Sequence, residues 1–129
     1  MAFYITYNDV EYEIDYFFEA LLYRYIIDLN IKPNEKSIMI FIARKTIGFK
    51  KLTDHIGIQE FIYNSMLKEV AVKNTIKSLL YQNLIKKNQS VGGKTKSRSR
   101  FSEYAINNQV MCKVLDIWID IKMENKFIS

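Results

Sequence analysis

Residues 59–100 read QEFIYNSMLKEVAVKNTIKSLLYQNLIKKNQSVGGKTKSRSR, and the parsing of this stretch decides the fold. Residues 59–66 predict a short helix, and residues 67–83 a second one after a tight turn. In the second, Val72, Ile76, Leu79 and Leu80 recur at helical spacing as an inward stripe. Glu69, Val70, Lys73, Asn74 and Lys77 take the opposite face. Two short strands are expected at 84–90 and 96–106, with Gly92-Gly93 in the bend. Along the second strand Phe101, Glu103 and Ala105 alternate with Ser102, Tyr104 and Ile106, and Tyr104 and Ile106 are expected to face inward. Helix, turn, helix and hairpin in this order make a winged helix-turn-helix.

The residue types on that frame suit DNA. A recognition helix enters the major groove with its N-terminal half. Asn74 matches adenine, and Lys73 and Lys77 match guanine or phosphate. Val70 and Ala71 are small enough to meet a thymine methyl. Lys68 stands at the start of the same helix. Glu69 repels phosphate; it is expected either to accept from cytosine or to offset the helix dipole. Residues 86–100 hold six bases (Lys86, Lys87, Lys94, Lys96, Arg98, Arg100) and no acid. A wing of this composition contacts phosphates or inserts arginine into a narrow minor groove. Lys94, Lys96, Arg98 and Arg100 are its candidate residues, and Lys50 and Lys51 are candidate backbone contacts from an earlier loop. The competing readings are an ordinary solvated helix and a solvated loop.

Charge follows the same division. Residues 1–31 carry one base and six acids, or −5, and residues 32–100 carry fifteen bases and four acids, or +11. Residues 101–129 carry three bases and four acids, or −1, so the net +5 conceals a strongly basic middle. Such a concentration opposes folding unless something uses it, and a polyanion is the simplest user. At 129 residues and 49% hydrophobic, the chain is long and apolar enough for one domain with a real core.

The flanks read as support for this unit. Residues 3–7 and 10–14 are strand formers around Asn8-Asp9, which predicts an N-terminal hairpin, with a single extended arm as the alternative. Asp15 is a good N-cap for a first helix bearing Phe18, Leu21, Leu22, Tyr25, Ile26 and Leu29 at helical spacing. Pro33 starts a second helix that runs to about Thr46, with Gly48 expected as its C′ residue. Ile56 and Ile58 flank Gly57 in a short strand. Residues 107–126 predict a last helix, with Val110, Met111, Val114, Leu115, Trp118 and Ile121 on one stripe and Asp116, Asp120 and Glu124 on an outer face. Trp118 is expected in the core or in a dimer interface, and the first and last helices are the candidate dimer surfaces.

Residues 44–58, RKTIGFKKLTDHIGI, resemble the signature of the phage replication protein O N-terminal domain: Arg-Lys-Thr, an aromatic, Gly-Trp, a basic pair, Asp and a short apolar strand. Arg44, Lys45, Thr46, Gly48, Phe49, Lys51, Asp54 and Ile56 fall into that pattern. Phe49 stands where tryptophan is usual, and Ile47 where an aromatic is usual. Residues 14–22 resemble the approach to the family's first helix, and 59–85 are similar to its helix-turn-helix. The usual Thr-Gly-Leu-Ser turn reads Ser65-Met66-Leu67-Lys68, and the usual glycine before Leu-Ile is Asn83. The resemblance implies DNA binding at a replication origin. The family's C-terminal region for recruiting partners is not expected within this chain.

The expectation is therefore an α+β, mainly helical fold. It is a winged helix-turn-helix with an N-terminal strand or hairpin and an extra C-terminal helix. One domain spans 1–129, divided as 1–14, 15–106 and 107–129. Its partner is double-stranded DNA, bound as a homodimer, in replication initiation. The alternatives are a winged-helix transcriptional regulator and a protein-binding inhibitor or adaptor on the same scaffold. With one histidine, His55, one cysteine, Cys112, and no phosphate loop, no enzyme, metal, cofactor or small-molecule substrate is expected. A cytoplasmic location is expected, because the chain shows no signal peptide, no long apolar run and no pair of cysteines.

Overall fold

The computed structural model describes residues 2–89 and 101–128. In chain order they form β1 (Tyr4–Tyr7), β2 (Val10–Glu13), α1 (Tyr16–Asp28), α2 (Pro33–Thr46), a 3-10 turn (Ile47–Phe49), β3 (Asp54–Gly57), α3 (Ile58–Ser65), α4 (Glu69–Tyr81), β4 (Ile85–Gln89), β5 (Phe101–Ile106) and α5 (Asn108–Ile128). β1 and β2 are an antiparallel hairpin, turned by Asn8 and Asp9 at φ of 53° and 64°. β3, β5 and β4 form a second antiparallel sheet in that order, with β5 central. Helices α2, α3 and α4 pack against it, which gives the expected winged helix-turn-helix between an N-terminal hairpin and a C-terminal helix. The expected wing residues Lys94, Lys96, Arg98 and Arg100 lie outside the described residues.

Two aromatic groups organise the core. Phe41, Phe61 and Tyr104 meet edge to face at centroid distances of 5.4 and 5.0 Å and join α2, α3 and β5. Trp118 meets Tyr12 at 6.0 Å and Phe18 at 6.1 Å and joins the hairpin, α1 and α5. Asp15 fastens the second group. Its carboxylate caps α1 at the Phe18 N–H (3.1 Å) and accepts from Trp118 Nε1 (3.1 Å) and Lys122 Nζ (2.6 Å). Trp118 thus belongs to the chain's own core. The Tyr7 hydroxyl donates to Asp116 at 2.8 Å, so one member of the acidic stripe holds the hairpin, while Asp120 and Glu124 are exposed.

Several boundaries differ from the sequence reading, each for a backbone reason. The chain runs on from α2 as a 3-10 turn, so the left-handed position falls on Lys50 (φ 61°) and not on Gly48. At Gly48 the tight point is space: a Cβ there would lie 3.2 Å from Glu19 Oε2 and 3.5 Å from the Tyr23 hydroxyl. Gly57 is the extended N-cap of α3, so Ile58 opens that helix instead of closing the strand. Helix α4 begins at Glu69 because Met66 turns left-handed (φ 61°) and Lys68 is extended. Lys68 is thus an N-cap residue, not a helical one. The helix ends at Tyr81, ahead of a left-handed Asn83 (φ 59°) and a Leu84 N–H that returns to the Leu79 carbonyl at 3.0 Å. Asn107 stays on the sheet ladder through Leu84 O at 3.0 Å, so α5 starts one residue later than expected and runs to Ile128.

Candidate nucleic-acid interface

Helix α4 buries Val72, Thr75, Ile76 and Leu79 and leaves Val70, Lys73, Asn74 and Lys77 exposed. That division follows from the helical period. β4 and β5 rise beside the exposed face. Ile85, Tyr104 and Ile106 are buried at the base of this hairpin. Side chains alternate along a strand, so Lys87 lies on the same face as Ile85, and Ser102 on the same face as Tyr104. Beyond the core this face overhangs α4. The two elements enclose an open groove of about 510 Å³, lined by Val70, Lys73, Asn74, Lys77, Lys87 and Ser102 together with Ile58, Ile76, Leu80 and Tyr104.

The groove is cationic. Lys87 Nζ stands 5.9 Å from the Tyr104 ring centroid, a cation–π arrangement at the groove floor. Glu69 Oε2 pairs with Lys73 Nζ at 3.0 Å, four residues on, which is a third fate for Glu69 beside the two expected. Both side chains are at least half exposed, so the pair is weak and a phosphate can displace the carboxylate. Among the described residues, the side chains of Lys68, Asn74 and Lys77 have no hydrogen-bond or ion-pair partner.

The structure therefore brings together Val70, Lys73, Asn74 and Lys77. Lys68 sits exposed at the N-cap beside them. Lys50 and Lys51 do not line the groove. Lys50 borders hollows beside Asp15, Ile14 and the hairpin, and Lys51 Nζ is paired with Asp54 at 3.1 Å. Ala71 is half-buried, and only Val70 of the two small residues reaches the groove. Sequence reasoning missed Lys87 and Ser102 as groove residues. The signal was available, because both stand at even spacing from the inward residues Ile85 and Tyr104.

The groove's angle depends on a buried carboxylate. Glu35, in the first turn of α2, is 5% exposed. It accepts from the Lys32 N–H at 2.9 Å, from Gln82 Nε2 at 3.0 Å and from the Ser78 hydroxyl, and so clamps the C-terminal half of α4 to α2. Burial pushes its carboxyl up, but the donors from Ser78, Lys32 and Gln82 outweigh burial and hold it below the ordinary value. Among the described residues no cluster of His, Cys, Asp or Glu forms a metal site, and no helix is long and apolar enough to cross a membrane.

A family model described as bacteriophage replication protein O matches residues 18–104, more than half of the chain. Among solved structures, the chain is similar to a "possible transcriptional regulator from Methanosarcina mazei Go1". The two are 14% identical over 95% of this chain and 94% of that one, with a TM-score of 0.46. No curated protein matches the sequence.

Proposed function

The chain belongs to the bacteriophage replication protein O family, and from that premise we propose that it binds double-stranded DNA at a replication origin as a non-enzymatic initiation protein. Helix α4 enters the major groove, and the β4–β5 hairpin follows the backbone or the minor groove. One observation carries this reading: Lys73, Asn74 and Lys77 of α4 face Lys87 and Ser102 of the hairpin across one open cationic groove. Lysines on two walls suit a polyanion, and an exposed amide between them suits a base edge. A homodimer through α1 or α5 is a separate part of the proposal. Among the described residues, Tyr16, Phe17 and Ile27 of α1 and Ile117 and Met123 of α5 are large exposed apolar side chains there, and sedimentation with and without DNA reads it.

Gel-shift titration of random and AT-rich duplexes at several salt concentrations tests DNA binding. The expected result is an affinity that falls steeply with salt, by roughly one log unit per log unit of salt for each phosphate neutralised. Asn74→Ala should change sequence preference. Arg98→Ala combined with Arg100→Ala should weaken every duplex alike and flatten the slope. Absence of binding to any duplex at low salt overturns the reading.

A further inference from the structure

We propose that Met66 and Val70 form an apolar edge that reads thymine C5-methyl groups in the major groove. The inference rests on the DNA-binding reading above and names the feature of the DNA that this part of the protein selects.

Met66 joins α3 to α4 in a left-handed conformation, φ 61°, which disfavours any residue with a Cβ. Its side chain is 88% exposed and so gains little packing in return. The turn is held by other atoms. The Met66 N–H reaches the Ile62 carbonyl at 3.0 Å, and Leu67 packs against the core. An apolar side chain in a disfavoured backbone conformation, with no role in the fold, indicates a use outside it. Val70 repeats the pattern one helical turn on. It is 71% exposed in the first turn of α4, where a β-branched residue does not favour the helix. It also lines the groove beside Lys73, Asn74 and Lys77.

The surroundings choose the occupant. An apolar protein surface placed here would cover the Lys73 and Lys77 ammonium groups, of which Lys73 has only the exposed Glu69 as partner. A duplex pairs those groups with phosphates and offers the edge the one apolar group of the major groove, the thymine methyl.

The test uses the tightest duplex recovered from a random pool, synthesised once with thymine and once with uracil at every such position. Only the methyl groups differ. The thymine duplex should bind more tightly by roughly fourfold per methyl contacted, the partition of about one buried methylene. Met66→Gly and Val70→Ser should each bring the ratio toward one. Met66→Gly relieves the left-handed backbone, and circular dichroism of both variants confirms folding. Tyr81→Ala, at the exposed far end of α4, should leave the ratio unchanged. Equal binding of both duplexes by the unaltered protein overturns the inference, as does a ratio that survives in both variants. If no duplex is recovered at all, the DNA-binding reading fails instead.

Discussion

Replacing Glu35 should loosen α4 from α2, and the size of the effect follows from its three donors. A hydrogen bond to a charged group contributes about 1.5–3 kcal/mol when the partner left behind stays dry. Lys32 and Gln82 are exposed and regain water on loss of the carboxylate, whereas Ser78 is half-buried between the helices. One full charged bond plus two weakened ones, less the burial cost that Glu35 itself carries, leaves a loss of about 2 kcal/mol for Glu35→Ala. In a domain of this size that lowers the melting temperature by roughly 6–10 °C. The dependence on pH is the sharper measure. The folded carboxyl lies below its ordinary 4.5, with burial raising it and the Ser78, Lys32 and Gln82 donors lowering it further. Its stabilising contribution is therefore complete above the unfolded value and is lost as pH falls through the folded one. Urea unfolding of the wild type and of Glu35→Gln should show a gap in stability at pH 7 that closes in strong acid. A loss under about 0.5 kcal/mol at neutral pH, or a gap that stays constant down to pH 3, would refute the clamp.

Asp15→Ala removes a helix cap and two further bonds to α5, so a loss of about 2 kcal/mol is expected. Part of it should appear as early melting of the α1–α5 face in hydrogen exchange. Gly48→Ala should cost about 1 kcal/mol in thermal unfolding, because the new Cβ meets a Glu19 carboxylate already bonded to the Tyr23 hydroxyl. Lys87→Ala should reduce the salt slope of DNA binding by about 0.9 if it meets one phosphate; Lys86→Ala, on the opposite face of β4, should reduce it less.

The architecture was legible because both periods in residues 59–106 are clean. Val72, Ile76 and Leu79 mark one face of a helix, and Tyr104 and Ile106 mark one face of a strand; all five are buried. What escaped depended on positions that local pattern does not encode. Gly48 looked like a cap, since glycine favours left-handed backbone. Its actual constraint is the Glu19–Tyr23 pair on another helix, which no local pattern reveals. Glu35 carries no local signal of its role, because its partners Ser78 and Gln82 lie more than forty residues on. Lys87 was counted in a basic run but not assigned to a wall, because the face of a strand matters only once α4 is known to lie beneath it.

The residues that carry the family resemblance and those that line the groove divide the work between them. Lys45 reaches Glu60 at 3.1 Å and Asp54 at 3.8 Å, with its ammonium 5.8 Å from the Phe49 ring centroid. The Thr46 hydroxyl, fully buried, returns to the Ile42 carbonyl at 2.8 Å. Gly48 admits the Glu19–Tyr23 pair of α1. The Thr46 bond stays within α2 and the Phe49 contact reaches the 3-10 turn; the others join this end of α2 to α1, β3 and α3, and none reaches the groove. They set the angle at which α3 and α4 leave the core, and Glu35 sets it again from the other end of α2. Val70, Lys73, Asn74 and Lys77 hang outside that framework, with only the weak Glu69 pair among them. A substitution on this face should therefore change what is bound while leaving the melting temperature nearly unchanged. A substitution in the framework should move both together, because tilting α4 shifts every side chain it presents to the groove.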